Sequence, residues 1–206
     1  MRALVLLSGG IDSAVTLYWA RSQGWEVFPI EFDYFGRPDR ERQACTDLLA
    51  HAGLPHRIAV PLPFIREAAD VPPHERINLS LARAPEGYIP LRNLIFYALA
   101  GYHAEILAAR YIAGGHNRTD CENFPDAGKS FWDSLNLILR NAIWSHSEIG
   151  TEVVLPLIEM DKGEVIRLGH DLGVPLDLTW SCYFDAIHPC GACESCIERA
   201  KAMGEA

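Results

Sequence analysis

The chain has 206 residues, of which 49% are apolar, 10% aromatic and 22% charged, an ordinary globular balance that excludes disordered, collagen-like and disulfide-scaffold classes. At about 150 residues per domain, this is one large domain or a domain with a small appendage. Lys plus Arg is 18 against 27 for Asp plus Glu, a net charge of −9 that argues against a general phosphate-backbone binder, so no direct nucleic-acid binding is expected. Charged residues interrupt every apolar stretch well short of the roughly 18–20 residues a membrane span needs. Only five apolar residues separate Met1-Arg2 from Ser8, too few for a signal-peptide core. A cytoplasmic protein without a membrane partner is expected.

Ala3 to Leu7 is a continuous apolar run ending at Ser8-Gly9-Gly10, which reads as a strand buried on both faces of a parallel sheet. Residues 12–23 follow as a helix carrying Val15, Leu17, Trp19 and Ala20, with Gly24 as its stop. Val27 to Phe32 is the second strand, and Pro29 inside it marks an edge or bulged position. A polar helix over 37–53 and a third strand from Arg57 to Leu62 complete a β-α-β-α-β series, which predicts a doubly wound, mostly parallel α/β sheet. Pro61, Pro63, Pro72, Pro73, Pro85 and Pro90 make 61–90 a long loop with at most a short helix near 64–69. Arg92 to Ala109 is helical and Tyr111 to Ala113 is a strand broken by Gly114-Gly115. A loop then runs through Pro125-Asp126, a helix covers 129–146 and a last strand covers Glu152 to Leu155. Asp161-Lys162-Gly163-Glu164 has the form of a capping box with Asp as the cap, opening a helix to Leu172 that Gly173 stops.

The turn Ser8-Gly9-Gly10-Ile11-Asp12-Ser13 sits at the carboxyl end of the first strand, where doubly wound sheets bind ligands. Two glycines permit close backbone approach, so N–H groups and the following helix can cradle a phosphate; a tight βα turn with a capping Asp is the plainer alternative. The string is neither G-x-x-x-x-G-K-[ST] nor G-x-G-x-x-G, which disfavours an ordinary P-loop or dinucleotide site. S-G-G-x-D-S in this position resembles the pyrophosphate loop of the N-type ATP pyrophosphatases, which split ATP between its α- and β-phosphates and adenylate an oxygen of the substrate. That resemblance implies an adenine nucleotide alpha hydrolase-like fold and an ATP-binding stretch from Leu7 to Ser13. In it Ser8, Gly9, Gly10 and Ser13 hold the pyrophosphate, Leu7 and Ile11 flank them, and Asp12 helps position Mg²⁺. Pro156-Leu157 followed by Lys162-Gly163-Glu164-Val165 fits a second superfamily pattern, in which Lys162 reaches the phosphates from the opposite side; otherwise it is a solvated first-turn lysine.

Cys182-x7-Cys190-x2-Cys193-x2-Cys196 supplies the four thiolates of a closed tetrahedral site. The spacing favours a structural Zn²⁺ and leaves an iron–sulfur cluster open. His188 lies inside this loop, but four cysteines already fill the shell. The division read here is 1–175 as the ATP pyrophosphatase domain and 176–206 as a zinc-binding region packed on it.

SGGIDS at 8–13, Phe32-Asp33-Tyr34, Pro90-Leu91-Arg92-Asn93, Pro125-Asp126, the 156–169 segment and Leu178-Thr179-Trp180-Ser181-Cys182-Tyr183 with the cysteines together resemble the 7-cyano-7-deazaguanine synthase family over nearly the whole chain. The resemblance implies a ligase, expected as a homodimer, that takes 7-carboxy-7-deazaguanine, ammonia and two ATP to a nitrile through an adenylated carboxylate and an adenylated amide. Asp12, Lys162 and Arg92 would carry catalysis, with Arg92 neutralising a phosphate or carboxylate. Asp33, Tyr34, Arg92, Asn93, His116, Asp120, Phe124 and Asp126 would surround the base, an aromatic to stack and carboxylates to accept its N–H groups. Asp120, Phe124 and Asp126 can equally be loop and capping residues.

The chain departs from the family pattern in three places. Phe35-Gly36-Arg37-Pro38 replaces the usual Gly-Gln-Arg-His, Glu86-Gly87 replaces Asn-Thr, and 120–127 reads Asp-Cys-Glu-Asn-Phe-Pro-Asp-Ala where Asp-Tyr-Ser-Gly-Tyr-Pro-Asp-Cys is typical. These loops are the ones expected to hold the deazaguanine. Two alternatives therefore stand beside the nitrile reading: a relative that stops at the amide or joins it to another acceptor, and another amide ligase or tRNA sulfurtransferase, for which Cys121 is the one loop thiol.

Overall fold

The computed structural model describes residues 1–72, 74–75, 78–85 and 87–204, so Pro73 of the proline-rich loop and Glu86 of the second departure lie outside the described residues. Five strands, β1 (Arg2–Leu6), β2 (Glu26–Tyr34), β3 (Ile58–Leu62), β4 (Tyr111–Ala113) and β5 (Glu152–Val154), pair in parallel in the order β3-β2-β1-β4-β5. The connecting helices are α1 (Ile11–Ser22), α2 (Asp39–His51), α3 (Arg92–Leu107), α4 (Arg118–Asn123), α5 (Lys129–Ala142), α6 (His146–Ile149) and α7 (Lys162–Asp171), with α8 (Glu194–Met203) at the end. Alternation along β1 divides the core. Ala3, Val5 and Leu7 meet α1, α2 and α7 on one face, whereas Leu4 with Ile30, Ile112 and Val153 meets Tyr97, Ala100 and Ala104 of α3 and Trp132, Leu135 and Leu139 of α5 on the other.

This is the doubly wound sheet that the pattern predicts, with three differences. β2 is an interior strand, flanked by β1 and β3, despite Pro29. Leu7 N–H donates to Ile30 O (2.9 Å), so the polar groups of Ile30 face β1 and the missing N–H of Pro29 faces the β3 side. There β3 pairs only from Ile30 onward, so no ladder bond is lost. Second, the expected loop after β4 holds α4, because Asn117 and Asp120 close a capping box at its start. Third, the helix over 129–146 stops at Ala142; Ser145 turns back to Glu105 Oε1 through its N–H (3.0 Å) and hydroxyl (3.2 Å), and α6 starts separately.

β5 is an edge strand, and its open side is covered by a side chain. Asn136 Oδ1 accepts Val153 N–H at 2.7 Å and Asn136 Nδ2 reaches Val153 O at 3.5 Å. The proline-rich loop contains two short 3₁₀ segments, Ala68–Asp70 and Leu79–Arg83; Phe35 N–H to Ile65 O pins it to the body, and Ala68 N–H to Tyr88 O closes it on itself. Because the chain runs outward from β1 to β3 and then returns to β4, the crevice above the carboxyl ends of β1 and β4 is the topological switch point.

Candidate active site

The turn after β1 and the turn after β4 meet at that crevice. Gly9 has φ +105°, and a Cβ there would collide with the Glu41 carbonyl oxygen and lie 3.0 Å from Cys45 N, so only glycine fits between β1 and α2. Across the crevice a Cβ on Gly115 would stand 2.7–2.9 Å from backbone atoms of Asp12 and Ser13. Inside the turn, the Ser13 hydroxyl donates to Gly10 O (3.0 Å) and accepts Ser8 N–H (3.2 Å), while Gly10 N–H donates to Ser8 Oγ (3.2 Å). Leu7 and Ile11 are buried in the core beneath it.

Lys162 opens α7, fixed there by the capping box between Asp161 and Glu164 that the sequence predicts. Its Nζ donates to Asp12 Oδ2 at 2.6 Å, which excludes the solvated-lysine alternative. Burial lowers the affinity of Lys162 for its proton, but Asp12, with support from Asp120 and Glu198, outweighs it and holds the ammonium above its ordinary pKa. The other carboxylate oxygen, Asp12 Oδ1, is buried with no hydrogen-bond partner. A lone carboxylate acceptor beside a glycine turn and a helix N-terminus has the chemistry of a hard divalent-cation ligand, so the residues fit Mg²⁺.

The second group lies on the α3 and α4 side. The Arg92 guanidinium stands 6.0 Å from the centre of the Phe124 ring and near enough to Tyr34 and His116 to act on both. Burial raises the Tyr34 hydroxyl to about 12, with Glu41 adding to the shift and Arg92 opposing it. His116 packs on Tyr97 and Trp132, with centroids 5.8 and 4.8 Å away. Burial, then Arg92, pushes its imidazole down to about 4, so the ring is neutral. Asp126 and Asn93 occupy each other: Asn93 N–H donates to Asp126 Oδ2 and Asn93 Nδ2 to Asp126 O, both at 2.9 Å. Asp126 thereby caps α3 in place of Leu91, the N-cap, which has φ 54° and no side-chain cap. Asp120 Oδ2 accepts Asn117 N–H (3.0 Å) in the α4 capping box, and Asp33 is paired with Arg42 (2.8 Å) on a half-exposed face. Arg92, Phe124, Tyr34 and His116 therefore converge, whereas Asn93, Asp120, Asp126 and Asp33 have structural partners. Cys121, the thiol a sulfur-transfer reaction would need, is pushed up by burial and then by Asp120, Glu159 and Glu122.

Arg37, expected among the base-binding loops, lies under the glycine turn with its side chain 1% exposed. It donates to Glu31 Oε1 (2.7 Å), Phe32 O (3.1 Å) and the Ser8 carbonyl oxygen, and it faces Glu41 Oε1 at 3.3 Å. Arg57 closes the network on Glu31. The signal in the sequence is Glu31 itself: a carboxylate inside the apolar run of β2 must find a buried cation.

The four cysteines gather on the other flank of the turn. Their Sγ atoms all lie within 4.8 Å of one another. Backbone N–H groups of Phe184 and Cys190 point at Cys182 Sγ (both 3.4 Å), and those of Ala192 and Cys193 at Cys190 Sγ (3.4 and 3.3 Å). The last two draw the Cys190 thiol down to about 6, while burial raises Cys196 to about 12. Four soft donors at that spacing fit a tetrahedral metal site. The site connects to the turn through Trp180, whose indole donates to Cys182 O (2.9 Å) and whose N–H donates to Gly9 O (3.0 Å). Arg199 of α8 fastens this segment by bonds to Thr179 Oγ1 (2.7 Å) and Leu176 O (2.9 Å).

Residues 2–206 match the model of the family described as Queuosine biosynthesis protein QueC. Among curated relatives, a 7-cyano-7-deazaguanine synthase of Thermosynechococcus vestitus is 34% identical over 99% of this chain and 91% of its own. One of Thermoplasma acidophilum is 35% identical over 100% of this chain and 88% of its own. Two solved structures share the fold. An NMN synthetase from Francisella tularensis has a TM-score of 0.53 at 20% identity over 86% of this chain and 63% of that one. A 4-thiouridine synthetase, solved in an RNA complex with bound ATP, has a TM-score of 0.53 at 20% identity over 99% of this chain and 50% of that one.

Proposed function

This chain belongs to the Queuosine biosynthesis protein QueC family, and from that membership we propose that it is an ATP-dependent carbon–nitrogen ligase, a 7-cyano-7-deazaguanine synthase acting on 7-carboxy-7-deazaguanine and ammonia. The observation that carries the reading is the Lys162–Asp12 pair spanning a serine-glycine turn at the switch point of the sheet. ATP lies with its β- and γ-phosphates on the turn, where Gly9, Gly10 and the α1 N-terminus meet the charge that develops on pyrophosphate. Lys162 is held protonated by Asp12 and supplies a second, movable charge to the same oxygens. Mg²⁺ beside Asp12 supplies further neutralisation of the phosphates when bound.

Arg92 and Phe124 orient the base so that its carboxylate faces the α-phosphate. The carboxylate oxygen attacks phosphorus and pyrophosphate leaves; ammonia then displaces AMP and loses a proton to give the amide. A second ATP adenylates the amide oxygen with release of a second pyrophosphate, and departure of AMP with loss of two protons from nitrogen leaves the nitrile. No side-chain nucleophile takes part. His116, neutral across the working pH range, offers a ring nitrogen to the base or the incoming ammonia without adding a competing cation.

The same reading assigns Zn²⁺ to the four cysteines, in a segment from 176 that is packed on α7 and the core through Ala202 and Met203 of α8. It also takes the protein as a cytoplasmic homodimer. Free thiols suit a reducing compartment, and exposed Tyr102, Ile106, Leu137 and Ile138 on α3 and α5 offer apolar surface to a second copy. No helix among the described residues is long and apolar enough to cross a membrane. Chromatography of the nucleotide products tests the ATP chemistry: AMP that forms only when the carboxylated base is present supports it, and ADP contradicts it.

A further inference from the structure

We infer that Arg37 is a positioning residue that aims the phosphate-binding turn. A trans peptide unit is planar, so its C=O and the next N–H point in opposite directions, and fixing one fixes the other. The Arg37 guanidinium draws the Ser8 carbonyl inward, toward Glu31 and α2, and so turns the Gly9 N–H outward over the crevice. Trp180 N–H ties the following carbonyl, that of Gly9, from the cysteine-bearing side, while the Gly10 N–H stays within the turn on Ser8 Oγ. Consecutive carbonyls of the turn are thus tied from two separate parts of the chain. Between them stands Gly9, whose φ of +105° lets the two peptide units take up this arrangement.

The geometry asks for arginine and not for any buried cation. Its planar fork reaches Glu31, the Phe32 carbonyl and the Ser8 carbonyl at once, with Glu41 against Nε. A lysine can keep the charge between Glu31 and Glu41 but carries a single nitrogen, which cannot satisfy both carboxylates and hold the Ser8 carbonyl in the same plane. Arg37 touches no substrate in this arrangement. It acts through the backbone it holds, and it does so from a loop where the chain departs from its family's usual residues on either side of the arginine.

This inference rests on the turn being the pyrophosphate cradle. The test compares wild type and Arg37→Lys in three readouts: affinity for an ATP analogue with a methylene bridge between the α- and β-phosphates, the KM for 7-carboxy-7-deazaguanine, and thermal unfolding. The expected result is a folded variant that binds the analogue roughly tenfold or more weakly, the scale of one lost hydrogen bond to a charged group, with the KM for the base at its wild-type value. Unchanged analogue affinity, equal loss toward both ligands, or a variant that does not fold overturns the positioning role. A wild type that does not bind the analogue removes the cradle reading itself, and the positioning role with it.

Discussion

Lys162 Nζ and Asp12 Oδ2 lie 2.6 Å apart although the two residues are separated by 150 positions, one opening α7 and the other in the first turn of α1. Both side chains are 23% exposed, so the pair faces the crevice and not the core. Replacing Asp12 with Asn keeps the side-chain volume and a hydrogen-bonding oxygen but removes the charge that holds Lys162 and a cation in place. AMP formation should fall by roughly 100- to 1,000-fold, the cost of losing a preorganised electrostatic group, with the melting temperature little changed. Steady-state AMP release and a melting curve on the same sample check this.

The imidazole of His116 gives a pH signature. Its pKa is about 4 in the folded protein against 6.5 for an unperturbed histidine, so between those values the unfolded chain binds more protons. The contribution of His116 to stability is complete above pH 6.5 and is lost as the pH falls toward 4. A ring titration by NMR should show a midpoint near 4, and His116→Gln should flatten the acid limb of the stability profile. A midpoint near 6.5 contradicts the desolvated, neutral ring.

Metal removal should reach the ATP site. Trp180 holds Gly9 O through its N–H and is tied to Cys182 through its indole, so opening the cysteine cluster should free that carbonyl. One tightly bound metal per chain is expected, and Cys193→Ser should yield unstable or insoluble protein, since structural zinc contributes about 10 kcal/mol or more to the folding of small zinc peptides. Elemental analysis alongside analogue binding before and after chelation measures both effects. Fully folded, ATP-competent protein without metal contradicts the link.

Phe124→Ala tests the base pocket separately from the ATP site. Arg92 lies over this ring at 6.0 Å, and the ring is partly buried against the core beneath α3 and α5. Loss of one base–aromatic stack, about 1–3 kcal/mol, should raise the KM for 7-carboxy-7-deazaguanine by about 5- to 150-fold and leave that for ATP unchanged.

How much of this was legible in the sequence follows from the range of the interactions concerned. The parallel sheet, the glycine turn, the cysteine site and the α7 capping box were legible because each is written in local spacing: an apolar run, S-G-G, C-x-x-C, D-x-x-E. The α4 helix was missed because its cap, Asn117 with Asp120, stands in a segment whose proline and glycine suggest a loop. Pro29 suggested an edge because the lost N–H could be counted, but not the direction it faces. The roles of Arg37 and Asn93 were not legible, since their partners lie across the fold, Ser8 for Arg37 and Asp126 for Asn93; for Asp126 the sequence left capping and base binding open side by side. A carboxylate that suits a guanine-like edge on paper gives one oxygen, Asp126 Oδ2, to a helix N-terminus in the structure. Composition cannot distinguish these uses.

Asn136 tests the fold in its own right. Asn136→Ala leaves Val153 N–H and the β5 edge uncovered, which should cost about 1–3 kcal/mol by unfolding in urea and increase aggregation, with AMP formation per folded molecule unchanged.

The central claim is that ATP cleavage at the Ser8–Ser13 turn drives nitrile formation on a deazaguanine. Its most direct measurement is mass spectrometry of the base after incubation of the purified protein with ATP, Mg²⁺, isotope-labelled ammonium and 7-carboxy-7-deazaguanine. The account predicts 7-cyano-7-deazaguanine carrying the label in its nitrile nitrogen, with two AMP released per nitrile. Amide as the final product, or AMP formed without any change in the base, would contradict it.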